Sequence, residues 1–123
     1  MKKLYAVKNF EDDLKFVEGE LTLDKMQEIV GGYIESISIT DSLIMWVNAE
    51  HKINGNDDLN VIFVDGNGNI FDYVTGNVFF TKVDLETGDT ISLDGDDIDY
   101  LMNCPYGSVE FKGKEYIVMA VNV

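Results

Sequence analysis

Val30-Gly31-Gly32-Tyr33-Ile34-Glu35-Ser36-Ile37-Ser38-Ile39 joins two hydrophobic periods in one ten-residue stretch. Up to Val30 the apolar residues Leu23, Met26, Ile29 and Val30 recur at helical spacing, and from Tyr33 the period becomes two. Tyr33, Glu35, Ile37 and Ile39 then fall on one side, with Ile34, Ser36, Ser38 and Thr40 on the other. The two glycines between these patterns sit where a helix is expected to end in a left-handed residue. A helix of about two turns handing over to a strand sets the class as α+β.

Working outward, Thr22 or Asp24 is the expected N-cap of that helix, and Asp24 and Glu28 suit its dipole. Upstream, Leu4-Tyr5-Ala6-Val7 predicts a first strand, and Leu14 to Val17 is long enough for a short second one. Downstream, Asp41-Ser42 is a tight polar turn into the apolar run Leu43-Ile44-Met45-Trp46-Val47, which predicts a hairpin whose second strand is central. The composition of 48–60 predicts a loop with a turn at Asn54-Gly55. Val61 to Val64 is a short buried strand, Asp65 to Asn69 a turn, and 71–83 one or two strands interrupted at Gly76-Asn77. Ile91-Ser92-Leu93 closes a pair after a turn at Thr87-Gly88-Asp89. Asp94 caps a short helix that ends before Pro105, and Val109-Glu110-Phe111 with Glu115 to Val121 forms a hairpin around Lys112-Gly113-Lys114. The expectation is a single α+β domain over 1–123, with a mostly antiparallel β-sheet and two short helices. Its apolar last strand, Tyr116 to Val121, is expected to be an exposed edge that leaves homodimerisation by strand pairing open.

A length of 123 residues suits one core, and 46% hydrophobic residues argue against disorder. No apolar run approaches the roughly 18 residues that span a bilayer, and the start is too short for a signal peptide, so a cytoplasmic location is expected. The single Cys104 forms no internal disulfide. Charge is the dominant feature: the formal net charge is −14, and all nine bases are Lys. That excludes direct nucleic-acid binding, which needs a basic stripe, and disfavours an anionic membrane. A macromolecular partner would present a basic surface. Twelve of the 23 acids but one Lys, Lys82, lie in residues 53–111, so the middle of the chain is the acidic surface.

Several motifs have now appeared: Ile29-Val30-Gly31-Gly32-Tyr33-Ile34-Glu35, Trp46-Val47-Asn48-Ala49-Glu50-His51-Lys52, Asn60, Gly76-Asn77-Val78-Phe79-Phe80, and Ser92-Leu93 before a short helix. Over roughly residues 4–101 the chain resembles a family of small phage and plasmid proteins known as domain of unknown function 3846; the C-terminal hairpin, about 106–123, lies outside the resemblance. An Arg-bearing loop associated with such proteins after the equivalent of Asn60 is replaced here by Val61-Ile62-Phe63. The resemblance implies a mobile genetic element, carries over no catalytic residues, and by analogy points to action against host defence.

No catalytic residue is assigned from the sequence. The only His is His51, expected on an exposed loop, and the only Cys is Cys104, expected half-buried. One Cys and one His fall short of a zinc set. Asp65-x-Asn67-x-Asn69 copies the start of a calcium loop, but the sixth position is Ile70 and the twelfth Gly76, so a hairpin turn explains it and no metal or other cofactor is assigned. Gly31-Gly32 follows a helix instead of opening one and is no phosphate loop.

Asp84, Glu86, Asp89, Asp94, Asp96, Asp97 and Asp99 place seven acids in 16 residues without a base among them. They are expected either as helix cap and solvated face or, with Asp57 and Asp58, as a partner-binding patch. A domain of this length, with a radius of gyration of about 14 Å, spans some ~35 Å and would face roughly 20 duplex phosphates. Fourteen net charges spread evenly cannot match that density, so mimicry of nucleic acid requires clustering on one face. The leading expectation is a non-enzymatic protein that inhibits a host defence of anti-CRISPR or anti-restriction type by binding a basic host protein. The alternative is a small-molecule module on the sheet around Tyr33, Trp46 and Asn48.

Overall fold

A computed structural model describes residues 2–53 and 58–122; Asp57 and the Asn54-Gly55 turn lie outside the described residues. Its order is β1 (Lys3–Lys8), β2 (Lys15–Gly19), α1 (Leu23–Val30), β3 (Ile34–Ser38), β4 (Leu43–Asn48), β5 (Leu59–Val64), β6 (Ile70–Thr75), β7 (Val78–Val83), β8 (Thr90–Ile91), α2 (Gly95–Met102), β9 (Tyr106–Phe111) and β10 (Lys114–Asn122). The class is α+β, with two helices and predominantly antiparallel pairing.

The local signals act as expected. Thr22 Oγ1 accepts from the Lys25 N–H to open α1, and Gly31, at φ 79°, closes it in the left-handed region with its N–H on the Gln27 carbonyl. Asp94 opens α2 with a full capping box: its side chain accepts from the Asp97 N–H, and the Asp97 carboxylate accepts from the Asp94 N–H.

The strands form two sheets instead of one. The first runs β2-β1-β7-β4-β3, with β8 also pairing β7; the second runs β6-β5-β10-β9. Between them lies a core that includes Ala6, Met45, Val47, Val61, Phe63, Phe80, Met119 and Val121, joined by Leu101 of α2. Alternation supplies both faces of β4: Leu43, Met45 and Val47 turn inward, and Trp46 joins Phe79 under Met26 and Val30 of α1.

Two expectations about the second sheet are corrected. Tyr116 to Val121 is no edge, because β10 pairs antiparallel with β9 on one side and parallel with β5 on the other. Homodimerisation through that strand would require a pairing already in use. Asn60, expected in a loop, belongs to β5.

Consecutive strands β6 and β7 lie in different sheets, and Gly76, at φ 81°, makes the corner. Asn60 holds this corner from the interior. Its amide donates to the Lys8 and Gly76 carbonyls at 2.8 Å each, and its oxygen accepts from Lys8 Nζ at 2.6 Å. Lys8 is buried, with a second acceptor in the Asn9 carbonyl. Asn77 completes the junction by accepting from the Phe10 N–H.

Gly32 has a separate reason. A Cβ there would lie 2.9 Å from Asn48 Nδ2, which donates to the Val30 carbonyl. Gly32→Ala should therefore lower stability by about 1–2 kcal/mol through overpacking and displacement of that amide. An unchanged urea midpoint would show that the amide can yield freely.

Candidate functional site

The acidic residues are organised by the one Lys in their region. β7 presents Lys82 beside the opening turn of α2, where Nζ lies 3.0 Å from Asp94 Oδ2 and 3.4 Å from Asp97 Oδ2 and donates to Ser42 Oγ. The hydrogen bond from Lys82 to Asp94 raises the ammonium's pKa. The Asp97 N–H, followed by Lys82, holds Asp94 down to about 2. Asp97 is buried and Asp94 exposed, and both are engaged by the cap of α2 and by Lys82, so they belong to the frame of the helix.

The remaining acids surround this frame. Asp84 Oδ1 accepts from the Glu86 and Thr87 N–H groups and shapes the β7–β8 turn, while Glu86, Asp89, Asp96 and Asp99 are exposed. Asp84, Glu86 and Asp89 lie in the turn that follows Lys82 in the chain, and Asp96 and Asp99 lie on α2, whose cap Lys82 pairs with. Asp58 does not join them. Its carbonyl accepts from the Gly76 N–H at the entry to β7, whereas Lys82 is near its exit, on the order of 20 Å along the strand.

Folded and unfolded Asp94 differ in proton affinity, which gives a test of this frame. Because the folded value is about 2 and the ordinary one 3.8, the unfolded chain takes up the proton first. The stabilisation from Asp94 is full above 3.8 and disappears as pH falls through 2. Asp94→Asn, which can still cap α2, should show a shallower loss of stability over this range in urea titrations. Equal slopes for the two proteins would remove Asp94 as the source.

A second cluster, which no spacing in the sequence signalled, lies where edge strands β3 and β6 approach each other. Glu35, Glu50, His51, Lys52 and Asp72 line a cleft of about 350 Å³. Lys52 is ion-paired with Asp72 and stands 4.8 Å from the centroid of the Tyr73 ring. Burial pushes the Asp72 carboxyl up, but the hydrogen bonds from Lys52 and the Tyr73 N–H outweigh it and leave it below its ordinary value.

His51 is buried here, contrary to the exposed loop position expected. Its Nδ1 accepts from the Thr75 N–H, and its carbonyl accepts from Thr75 Oγ1. Burial first, and then the Lys52 charge, lower its pKa against the opposing pull of Asp72 and Glu35. The neutral ring therefore carries its proton on Nε2 and serves as a main-chain anchor. Glu35 and Glu50-His51-Lys52 stand in two separate motifs, and nothing local in the sequence shows that they meet.

Tyr33, Trp46 and Asn48 are not brought into one pocket. Tyr33 is 71% exposed. Trp46 stacks on Phe79 at 6.0 Å and donates from Nε1 to Thr81. Both ends of the Asn48 amide are used, by the Val30 carbonyl and the Glu50 N–H. Asp65 Oδ1 accepts from the Asn67 and Asn69 N–H groups, which accounts for the calcium-like letters as a hairpin turn. Cys104 is buried, with its thiol directed at the Tyr100 carbonyl and its pKa raised by that burial.

Among the described residues no three His, Cys, Asp or Glu side chains are grouped to hold a metal, and no side-chain nitrogen or oxygen is buried without a partner. No described helix is long and apolar enough to cross a membrane. The fold and these sites define a two-sheet α+β domain with a carboxylate-rich segment and an internally braced ionic cleft. The chain belongs to the family described as domain of unknown function DUF3846, which it matches over residues 2–104. No curated protein matches it, and no solved structure does.

Proposed function

We propose that this protein is a non-enzymatic binding protein of a phage or other mobile element, acting in the cytoplasm of a bacterial host. Its partner is a host defence protein, of CRISPR or restriction type, whose Lys/Arg-lined surface normally receives nucleic acid. The observation that carries this reading is that Asp84, Glu86, Asp89, Asp96 and Asp99 lie on the two segments next to Lys82, the turn that follows it and α2, while Lys82 itself is already met by Asp94 and Asp97. That arrangement leaves the outward field there negative, which suits electrostatic capture of a basic surface.

The test separates the binding face from its scaffold. Glu86→Gln, Asp89→Asn, Asp96→Asn and Asp99→Asn remove four exposed charges without touching the capping box. Host proteins retained on the immobilised domain should elute from this variant at clearly lower salt, with affinity reduced at least about tenfold. Identical elution would assign the acids to solubility. The small-molecule alternative has no comparable support, since the polar groups of Trp46 and Asn48 are occupied within the fold.

A further inference from the structure

At the side of the molecule opposite the β3/β6 cleft, β2, α2 and β9 enclose an apolar groove of about 380 Å³ lined by Asp13, Leu14, Phe16, Leu101, Met102 and Tyr106. Its floor is fixed, because Leu101 is buried in the core and Tyr106 Oη accepts from the Leu14 N–H. Its walls are open: Phe16 is 37% exposed, Tyr106 42% and Met102 68%. Aromatic and Met side chains grouped in this way present adaptable anchoring area, the kind that carries most of the energy at protein interfaces.

The rim has one sign. Asp99 precedes Met102 by three residues and so shares its face of α2, with the exposed Asp96 a further turn back. Asp12 and Asp13 stand on the other side, and the nearby base Lys15 is paired with Asp12 at 3.8 Å. Lys8, beneath Tyr106, is buried. An apolar floor with a carboxylate rim fits an apolar side chain carried between Lys or Arg residues and disfavours an acidic segment.

We propose that this groove anchors a basic amphipathic segment of the partner protein, which inserts apolar side chains between Phe16, Met102 and Tyr106 while its cations face Asp13, Asp96 and Asp99. This rests on the reading of the protein as a binder of basic surfaces and adds the contact that would confer specificity. α2 then serves both contacts, with Asp96 and Asp99 shared between the acidic segment and the rim of the groove.

Three synthetic ten-residue peptides test it by calorimetry and amide chemical-shift mapping on the full chain: Leu/Lys at helical spacing, the same peptide with Ser for Leu, and the same with Glu for Lys. The Leu/Lys peptide should bind at least about tenfold more tightly than Ser/Lys, shift amides of β2, α2 and β9, and lose its advantage in Met102→Ser and in Phe16→Ser. The exposed Met102 keeps the test valid if Phe16→Ser misfolds. Equal binding of Leu/Lys and Ser/Lys would overturn the groove and leave the acidic reading standing, as would an advantage untouched by both variants. Binding of Leu/Glu as tightly as Leu/Lys would overturn the basic occupant. Absence of binding by both Lys peptides would overturn the groove together with the reading on which it rests.

Discussion

A chain ending at Cys104, where the family match ends, should fail to fold cooperatively. The removed hairpin β9–β10 supplies two of the four strands of the second sheet, and β10 pairs on both sides. It also buries Tyr116, Val118, Met119 and Val121 almost completely. At roughly 1.5–3 kcal/mol for each buried side chain, these four contribute about 6–12 kcal/mol, comparable to the whole stability of a typical domain. Residues 1–104 should lack a cooperative urea transition and native near-ultraviolet dichroism. A sharp transition with native dichroism would show that the matched segment folds alone, with the hairpin as an addition.

Asn60→Leu should be the most damaging single substitution in the interior, at about 3–5 kcal/mol. It keeps the volume but removes one of the two acceptors of the buried Lys8 ammonium, leaving the Asn9 carbonyl, and the donor to two carbonyls. A buried charge stripped of part of its hydrogen bonding, together with two buried carbonyls losing their donor, is costly in this range, whereas replacing both partners by apolar groups is often tolerated. Lys8→Met in the same chain should therefore recover a substantial part of the loss, and the double-mutant cycle should show strong coupling.

The titration has a definite sign. Burial lowers the Lys8 pKa, with Asp12 and Asp13 opposing, so the unfolded chain binds the extra proton below 10.5. The wild type should gain stability as alkaline pH approaches 10.5, and the Lys8→Met protein should lack that gain. A loss below about 1 kcal/mol for Asn60→Leu would mean that the corner is held without this amide.

The elements that could be read from sequence were those written in adjacent residues. α1 was legible in Thr22 and Gly31, α2 in Asp94 and its acids, and the last hairpin in Lys112-Gly113, both at positive φ in the structure. The division of the strands between sheets was not legible. Strands β6 and β7 have similar apolar character, and their assignment depends on Asn60 reaching Lys8 across 52 residues. The parallel pairing of β10 with β5 likewise joins Met119 to Val61 without a local signal.

The same distinction applies to the sites. The acids were visible as a run, but their division into frame and surface depends on Lys82, which comes from outside the run and neutralises Asp94 and Asp97. His51 was misplaced because loop composition surrounds it on both sides in sequence, while Thr75 of β6 buries it in space. Several motif residues turn out to hold the fold: Gly31 and Gly32 at the helix end, Asn48 beneath them, and Asn60 and Asn77 at the corner. On the function proposed above, the carboxylates near Lys82 and the groove beside Met102 carry the contact with the partner.

The most direct measurement is displacement. A host protein held on the immobilised domain is challenged at constant ionic strength with a duplex DNA of about 20 base pairs. If the acidic segment occupies a nucleic-acid site, the duplex releases the protein in a dose-dependent manner, and the four-site neutral variant yields it at lower duplex concentration. If the host protein stays on the domain while binding the duplex, the two surfaces are independent and occupation of a nucleic-acid site is contradicted.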